Sequence, residues 1–234
     1  DIIIKEGVKI VFTSAGSPKK WTPLLKSHGI TVVHVISSAL FAKKCEDAGV
    51  DAVVAEGFEA GGHNGREETT TLTLIPNVSI NCSLPIIAAG GIASGKSMVA
   101  AMALGAEGVQ IGTRFAIATE SSAHPAFKQR VFDTEEGGTM LALKKLAPTR
   151  LIKNDFFSQV KTLEDAGAEA SQLTELLGKG RAKKGIFEGD LQEGELEIGQ
   201  IASMLHQEES VTEIMQDLIT DFNQTIGKLD NLKM

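Results

Sequence analysis

Apolar, β-branched runs separated by helix-length segments dominate the first half of the chain. They occupy residues 9–14 (KIVFTS), 31–37 (TVVHVIS), 52–56 (AVVAE), 85–89 (PIIAA) and 108–112 (GVQIG). Their starts recur about every 21–23 residues, with one longer interval of about 33. Runs that are apolar throughout, rather than alternating, suit strands buried on both faces. Segments 22–28, 39–48, 73–80 and 97–104 are predicted as helices. They end near Gly29, Gly49, Cys82 and Gly105, and glycine just past a helix makes the favourable left-handed C-terminal cap. Successive βα units with right-handed crossovers leave two architectures, an open doubly wound sheet or a (β/α)8 barrel.

From Ser121 onward the pattern changes to helices and charged connections, with no further buried strand expected. Residues 152–166, 169–177 and 211–229 carry helical periodicity. Residues 178–185 (GKGRAKKG) read as a solvated basic link, with an anion contact as the minority reading. The organisation expected is barrel over residues 1–130, a helical domain over 131–210 and a C-terminal helix over 211–234.

The 23 basic and 30 acidic residues give a net charge of −7, which argues against nucleic acid as a partner. Apolar stretches fall far short of the ~18–20 residues of a membrane span, and no signal-peptide pattern is present, so a cytoplasmic location is expected and no membrane partner. Cys45 and Cys82 are the two cysteines; they build neither a CxxC ligand set nor a disulfide framework. No HxxxH or HExxH spacing supports a catalytic metal, and no GxSxG elbow supports a serine hydrolase.

Parallel α/β folds gather function at the C-terminal ends of their strands. Three such ends are unusual here. The third run leads into residues 56–65 (EGFEAGGHNG), which set His63 among glycines; the fourth leads through Gly90 and Gly91 into a helix; the fifth leads into Gly112, Thr113 and Arg114. Paired glycine-bearing ends, one opening a helix, form a phosphate cradle from bare amides and the helix dipole. Tight turns are the competing explanation. His63 has little packing to do among glycines, and an imidazole is a residue type suited to proton transfer, which stands against an ordinary surface role. His34 reads as a satisfied core residue, His28, His124 and His206 as helix-end or loop residues, and Arg114 as a partner for a carboxylate.

At these strand ends the chain resembles the nitronate monooxygenase family, formerly the 2-nitropropane dioxygenases, which includes the FMN-dependent enoyl-ACP reductase II enzymes. The resemblance rests on residues 55–65 (AEGFEAGGHNG), 85–95 (PIIAAGGIASG), 105–115 (GAEGVQIGTRF), 120–125 (ESSAHP) and 199–202 (GQIA). It implies an FMN-containing TIM barrel with a helical domain attached. By position it implies phosphate contacts from Gly90, Gly91, Gly112 and Thr113, flavin contacts from Ala60, Gly61, Gly62 and Gln110, and His63 as the catalytic residue beside the flavin. Two activities follow. One is oxidation of an alkyl nitronate with O2; the other is NAD(P)H-dependent reduction of an enoyl thioester carried on acyl carrier protein, for which Lys179, Arg181, Lys183 and Lys184 offer a basic docking patch. A flavin-free barrel enzyme acting on a phosphorylated metabolite, and a non-catalytic binding protein, are the readings from other classes. A homodimer is left open.

Five strands cannot close an eight-stranded barrel, for which ~250 residues is a typical length. By resemblance the five are strands four to eight. The expectation is therefore that the first three βα units are missing from the 234 residues, which begin with Asp1 rather than methionine.

Overall fold

A computed structural model of the chain describes residues 2–230. Asp1 and residues 231–234 of the expected C-terminal segment lie outside the described residues. Among the described residues eight strands run in chain order: β1 (Ile10–Thr13), β2 (Thr31–Ile36), β3 (Ala52–Glu56), β4 (Gly62–His63), β5 (Ile86–Ala89), β6 (Gly108–Gln110), β7 (Thr139–Ala142) and β8 (Thr149–Ile152). The helices are α1 (Ile2–Lys5), α2 (Thr22–Ser27), α3 (Ala39–Asp47), α4 (Thr71–Asn81), α5 (Gly95–Ala103), α6 (Thr113–Ala116), α7 (Pro125–Phe132), α8 (Asp155–Asp165), α9 (Ala170–Leu177), α10 (Arg181–Ile186) and α11 (Val211–Leu229).

The main sheet has the order β1-β2-β3-β5-β6, parallel throughout. Its two faces differ. Ile36, Val53, Ala55, Ile86 and Ala88 pack with Ala42 and Cys45 of α3, Leu74, Ile75 and Val78 of α4 and Ala101 of α5. Val32, on the same face, packs with Leu25 of α2. The crossover helices therefore cover one face only, while Val33, Val54 and Ala89 pack on one another on the other. A doubly wound sheet has helices on both faces, so the arrangement is that of a (β/α)8 barrel, here with five strands and two edges, β1 and β6. On β1, Ile10 and Phe12 are more than half exposed.

A second sheet, β4-β8-β7, is antiparallel. It corrects the expectation that only helices and connections follow Ser121. β8 is buried along its whole length, but a charged residue, Arg150, sits in its middle, and Ile152 merges into the helical periodicity of α8. Residues 178–185 are also corrected in part: α10 begins at Arg181, with Gly185 buried against Leu196 and Gly194. The chain then returns through α11, which crosses α5 so closely that a Cβ on Gly95 would lie 2.0 Å from the Phe222 amide nitrogen. Among the described residues no helix is long and apolar enough to cross a membrane.

Candidate functional site

The loop from β3 to β4 is held at both ends by the small sheet. Gly62 pairs with Arg150 and His63 with Thr149. Arg150, 1% exposed, lays its guanidinium 4.4 Å from the Phe58 ring centroid and donates to Phe58 O at 2.6 and 3.2 Å. Burial lowers its pKa, against the raising influence of Glu59 and Glu68. Asn64 closes the loop by donating from Nδ2 to Ala60 O at 2.8 Å. Glu59 folds beneath it: its carboxylate accepts from the Thr71 N–H at 3.0 Å, and Thr71 Oγ1 lies 2.9 Å from that carboxylate and 2.8 Å from Gly90 O. The loop after β3 is thereby tied to the turn after β5.

Between these loops lies a chamber of about 230 Å3, lined by Ala60, Gly61, Gly62, Gly90, Gly91, Gln110, Gly112 and Thr113, with Glu56 and Glu59. The eight residues expected at a cofactor thus surround one space. Ile186, Glu197, Ile198 and Ile201 close its other side. That closing segment explains two of the glycines. A Cβ on Gly61 would lie 2.4 Å from the Ile198 carbonyl carbon, and one on Gly62 would lie 2.6 Å from Glu197 Oε2. Gly62, Gly90 and Gly91 also have φ of +72°, +92° and +72°, where L side chains are strained. Among the described residues, no loop or turn hydrogen bond engages the amides of Gly91, Gly112 and Thr113 as donors. Unpaired amides around a chamber suit an anionic group with several acceptor oxygens.

One element of the expected cradle is corrected. The N-terminus of α5 does not line the chamber: its Lys96 N–H donates to Asp221 of α11 at 2.9 Å, and Ser97 N–H donates to the capping Ser94. Turn amides after β5 and β6 remain as the donors. The Thr113 hydroxyl accepts from Gly199 N–H at 3.0 Å, which ties the cradle to the 197–201 segment. The residues present fit the phosphate of FMN by this donor set.

His63 stands elsewhere. It is exposed and lines a second, adjoining chamber of about 400 Å3 with His34, Ser37, Asn64, Arg66 and Glu56. Buried His34 contacts Thr13 Oγ1 at 2.7 Å through Nδ1, and burial lowers its pKa. Glu56 is common to both chambers. In register, Glu56 lies beside Ala89 and Ala89 beside Gln110, so the three form one row on the face opposite the helices. Burial pushes the Glu56 carboxyl up to about 7. Burial also raises the Glu197 carboxyl, with the charge of His63 opposing. Neither acid stands out in the sequence, because the feature that marks them is shared space between distant segments.

The remaining sequence expectations resolve into structural roles. Arg114, 7% exposed, donates to Glu209 at 3.0 and 2.9 Å, to Asp217 at 2.8 Å and to Ala93 O at 2.8 Å. His124 caps α7 by accepting from Ala126 N–H. In the basic segment, Arg181, Lys183 and Lys184 pair with Glu193, Glu188 and Asp190.

The nitronate monooxygenase family model matches residues 1–221. A probable nitronate monooxygenase of Staphylococcus saprophyticus is 35% identical over 79% of this chain and 56% of its own length. The chain spans about half the length of the curated nitronate monooxygenases it matches. Among solved structures, FabK from Thermotoga maritima superposes with a TM-score of 0.93 at 38% identity, covering 99% of this chain and 73% of FabK. A nitroalkane oxidase from Streptomyces ansochromogenes gives 0.77 at 27% identity, over 97% and 68%.

Proposed function

The chain belongs to the nitronate monooxygenase family, and from that premise we propose that it serves an FMN-dependent oxidoreductase that oxidises alkyl nitronates with O2 through the flavin. The observation that carries this reading is the chamber in which the eight cofactor-binding residues expected by resemblance meet around unpaired turn amides, with His63 in the adjoining one. Gly90, Gly91, Gly112 and Thr113 would hold the phosphate; Ala60, Gly61, Gly62 and Gln110 would lie along the ring system. When bound, FMN supplies the redox step, and the protein supplies position and electrostatics. His63, at the rim of the adjoining chamber, orients the substrate or accepts its proton. The reading places the enzyme in the cytoplasm.

The FabK likeness favours a second reading, an enoyl-ACP reductase II that takes electrons from NAD(P)H and passes them to an enoyl thioester. The small molecule would then arrive on acyl carrier protein. With Arg181, Lys183 and Lys184 each paired to an acid, α10 presents less net positive charge to an acidic carrier than its sequence implies.

Absorbance of the purified protein tests the common part. A yellow protein, or a colourless one that takes up added FMN, is expected; failure to take up FMN overturns both readings. Anaerobic mixing with an alkyl nitronate, and separately with NAD(P)H, decides between them. Bleaching by the nitronate supports the first, and bleaching by NAD(P)H with reoxidation by an enoyl thioester supports the second.

A further inference from the structure

Glu56 occupies the wall between the two chambers, and its side chain faces both. It ends β3 in the same row as Gln110, one strand removed across Ala89. Burial is the cause of its raised pKa; among the described residues no hydrogen bond or counter-ion contributes. Three other ionisable groups on these walls are engaged by hydrogen bonds. Glu59 accepts from Thr71, His34 contacts Thr13, and Arg66 donates to Lys144 O and Leu146 O. Glu197 lies over Gly62, where its charge couples to His63.

A partly buried carboxyl without a protein partner is least costly when it is protonated and finds an acceptor. The neutral acid has one donor hydrogen to offer, whereas the ionised form only accepts. Resting on the flavin-oxidoreductase reading, we infer that Glu56 is a ligand-contacting residue whose neutral carboxyl donates a hydrogen bond to a substrate oxygen carrying delocalised negative charge. A nitronate oxygen and the enolate-like oxygen of a thioester share that chemistry. Ionised Glu56 repels both, so binding of such an oxyanion weakens as the pH rises through about 7.

The test uses protein labelled with 13C at the glutamate carboxyl carbons, examined by NMR with and without FMN. The resonance missing from Glu56→Gln belongs to Glu56. Nitrate serves as an unreactive planar oxyanion. The expected result is that nitrate shifts this resonance and that its affinity falls about tenfold per pH unit above 7, the slope of one linked proton. Glu56→Gln, which keeps a donor but does not titrate, should bind nitrate with no such pH dependence. The inference is overturned if nitrate leaves the Glu56 resonance unmoved, or if Glu56→Gln retains the wild-type slope. FMN uptake in the same samples separates the two levels. A protein that takes up FMN while Glu56 ignores nitrate loses only this inference, whereas one that takes up no FMN loses the flavin reading.

Discussion

Two residues at the site make opposite demands. His63 is exposed at the rim of its chamber, so its replacement removes chemistry and little packing. His63→Ala should therefore keep FMN affinity within about twofold while turnover falls at least ~100-fold, the lower range for a positioned acid or base. Unchanged turnover removes His63 from the mechanism. Gly91 is constrained by conformation instead. Its φ of +72° costs an L residue ~1–2 kcal/mol, and a Cβ there would meet Glu59 at 3.3 Å. Gly91→Val should lower FMN affinity more than tenfold, measured by quenching of flavin fluorescence, and should also lower the unfolding midpoint. The glycines were legible in the sequence because positive φ selects glycine one residue at a time. Glu56 and Glu197 were not, since nothing in their local sequence records that β3 and the 197–201 segment face one chamber.

At the scale of elements, the legible parts are those whose burial pattern matches their period. The five parallel strands read correctly to within a residue or two at each end, because their runs are largely apolar and β-branched; β2, β3 and β5 are mostly buried, while the edge strand β1 keeps the pattern with Ile10 and Phe12 exposed. β7 and β8 escaped detection for a physical reason. Arg150 puts a charge in the middle of β8, and its cost is offset by the Phe58 carbonyl and ring, which lie far away in sequence. α10 escaped because glycines and lysines resemble a solvated link until its acids are seen. The return of α11 depends on another long-range tie. Arg114, in the first turn of α6, binds Glu209 just before α11 and Asp217 within it. Replacing Arg114 by Met leaves Glu209 and Asp217 without their cation. Removing one partner of a fully buried pair costs ~3–5 kcal/mol, and half-exposed Asp217 reduces this to about 2–3 kcal/mol. Denaturant unfolding should show that loss, and hydrogen exchange should show it concentrated in α11; a uniform loss across the main sheet argues against the tie.

Across the whole molecule, ionisable groups fall into two opposed sets that determine how stability responds to pH. Glu56 and Glu195 are pushed up to about 7, both chiefly by burial, with the neighbouring Glu197 adding to the shift of Glu195 and Arg181 opposing it. For these acids the folded state holds the proton more tightly than the unfolded chain. Their contribution is complete below the ordinary glutamate range and is lost as the pH rises through about 7. Glu46 belongs to the other set: hydrogen bonds from Lys43 and Ser83 hold it at about 2. Asp221 is likewise lowered, by Lys96. Their contribution is present above the ordinary carboxylate range and disappears as the pH falls through their folded values. The two limbs enclose a maximum at about pH 4–4.5, close to the carboxylate values of the unfolded chain. Thermal unfolding between about pH 2 and 9 should show the midpoint falling below about pH 4 and again between about pH 4.5 and 7, then levelling off. Glu195→Gln retains the volume and removes the titration at a position that lines neither site chamber. Its alkaline limb should be shallower than wild type, with the acid limb unchanged, because Glu46 and Asp221 are untouched. An alkaline limb that remains as steep in both Glu195→Gln and Glu56→Gln means that these buried carboxyls do not govern the fall in stability between about pH 4.5 and 7.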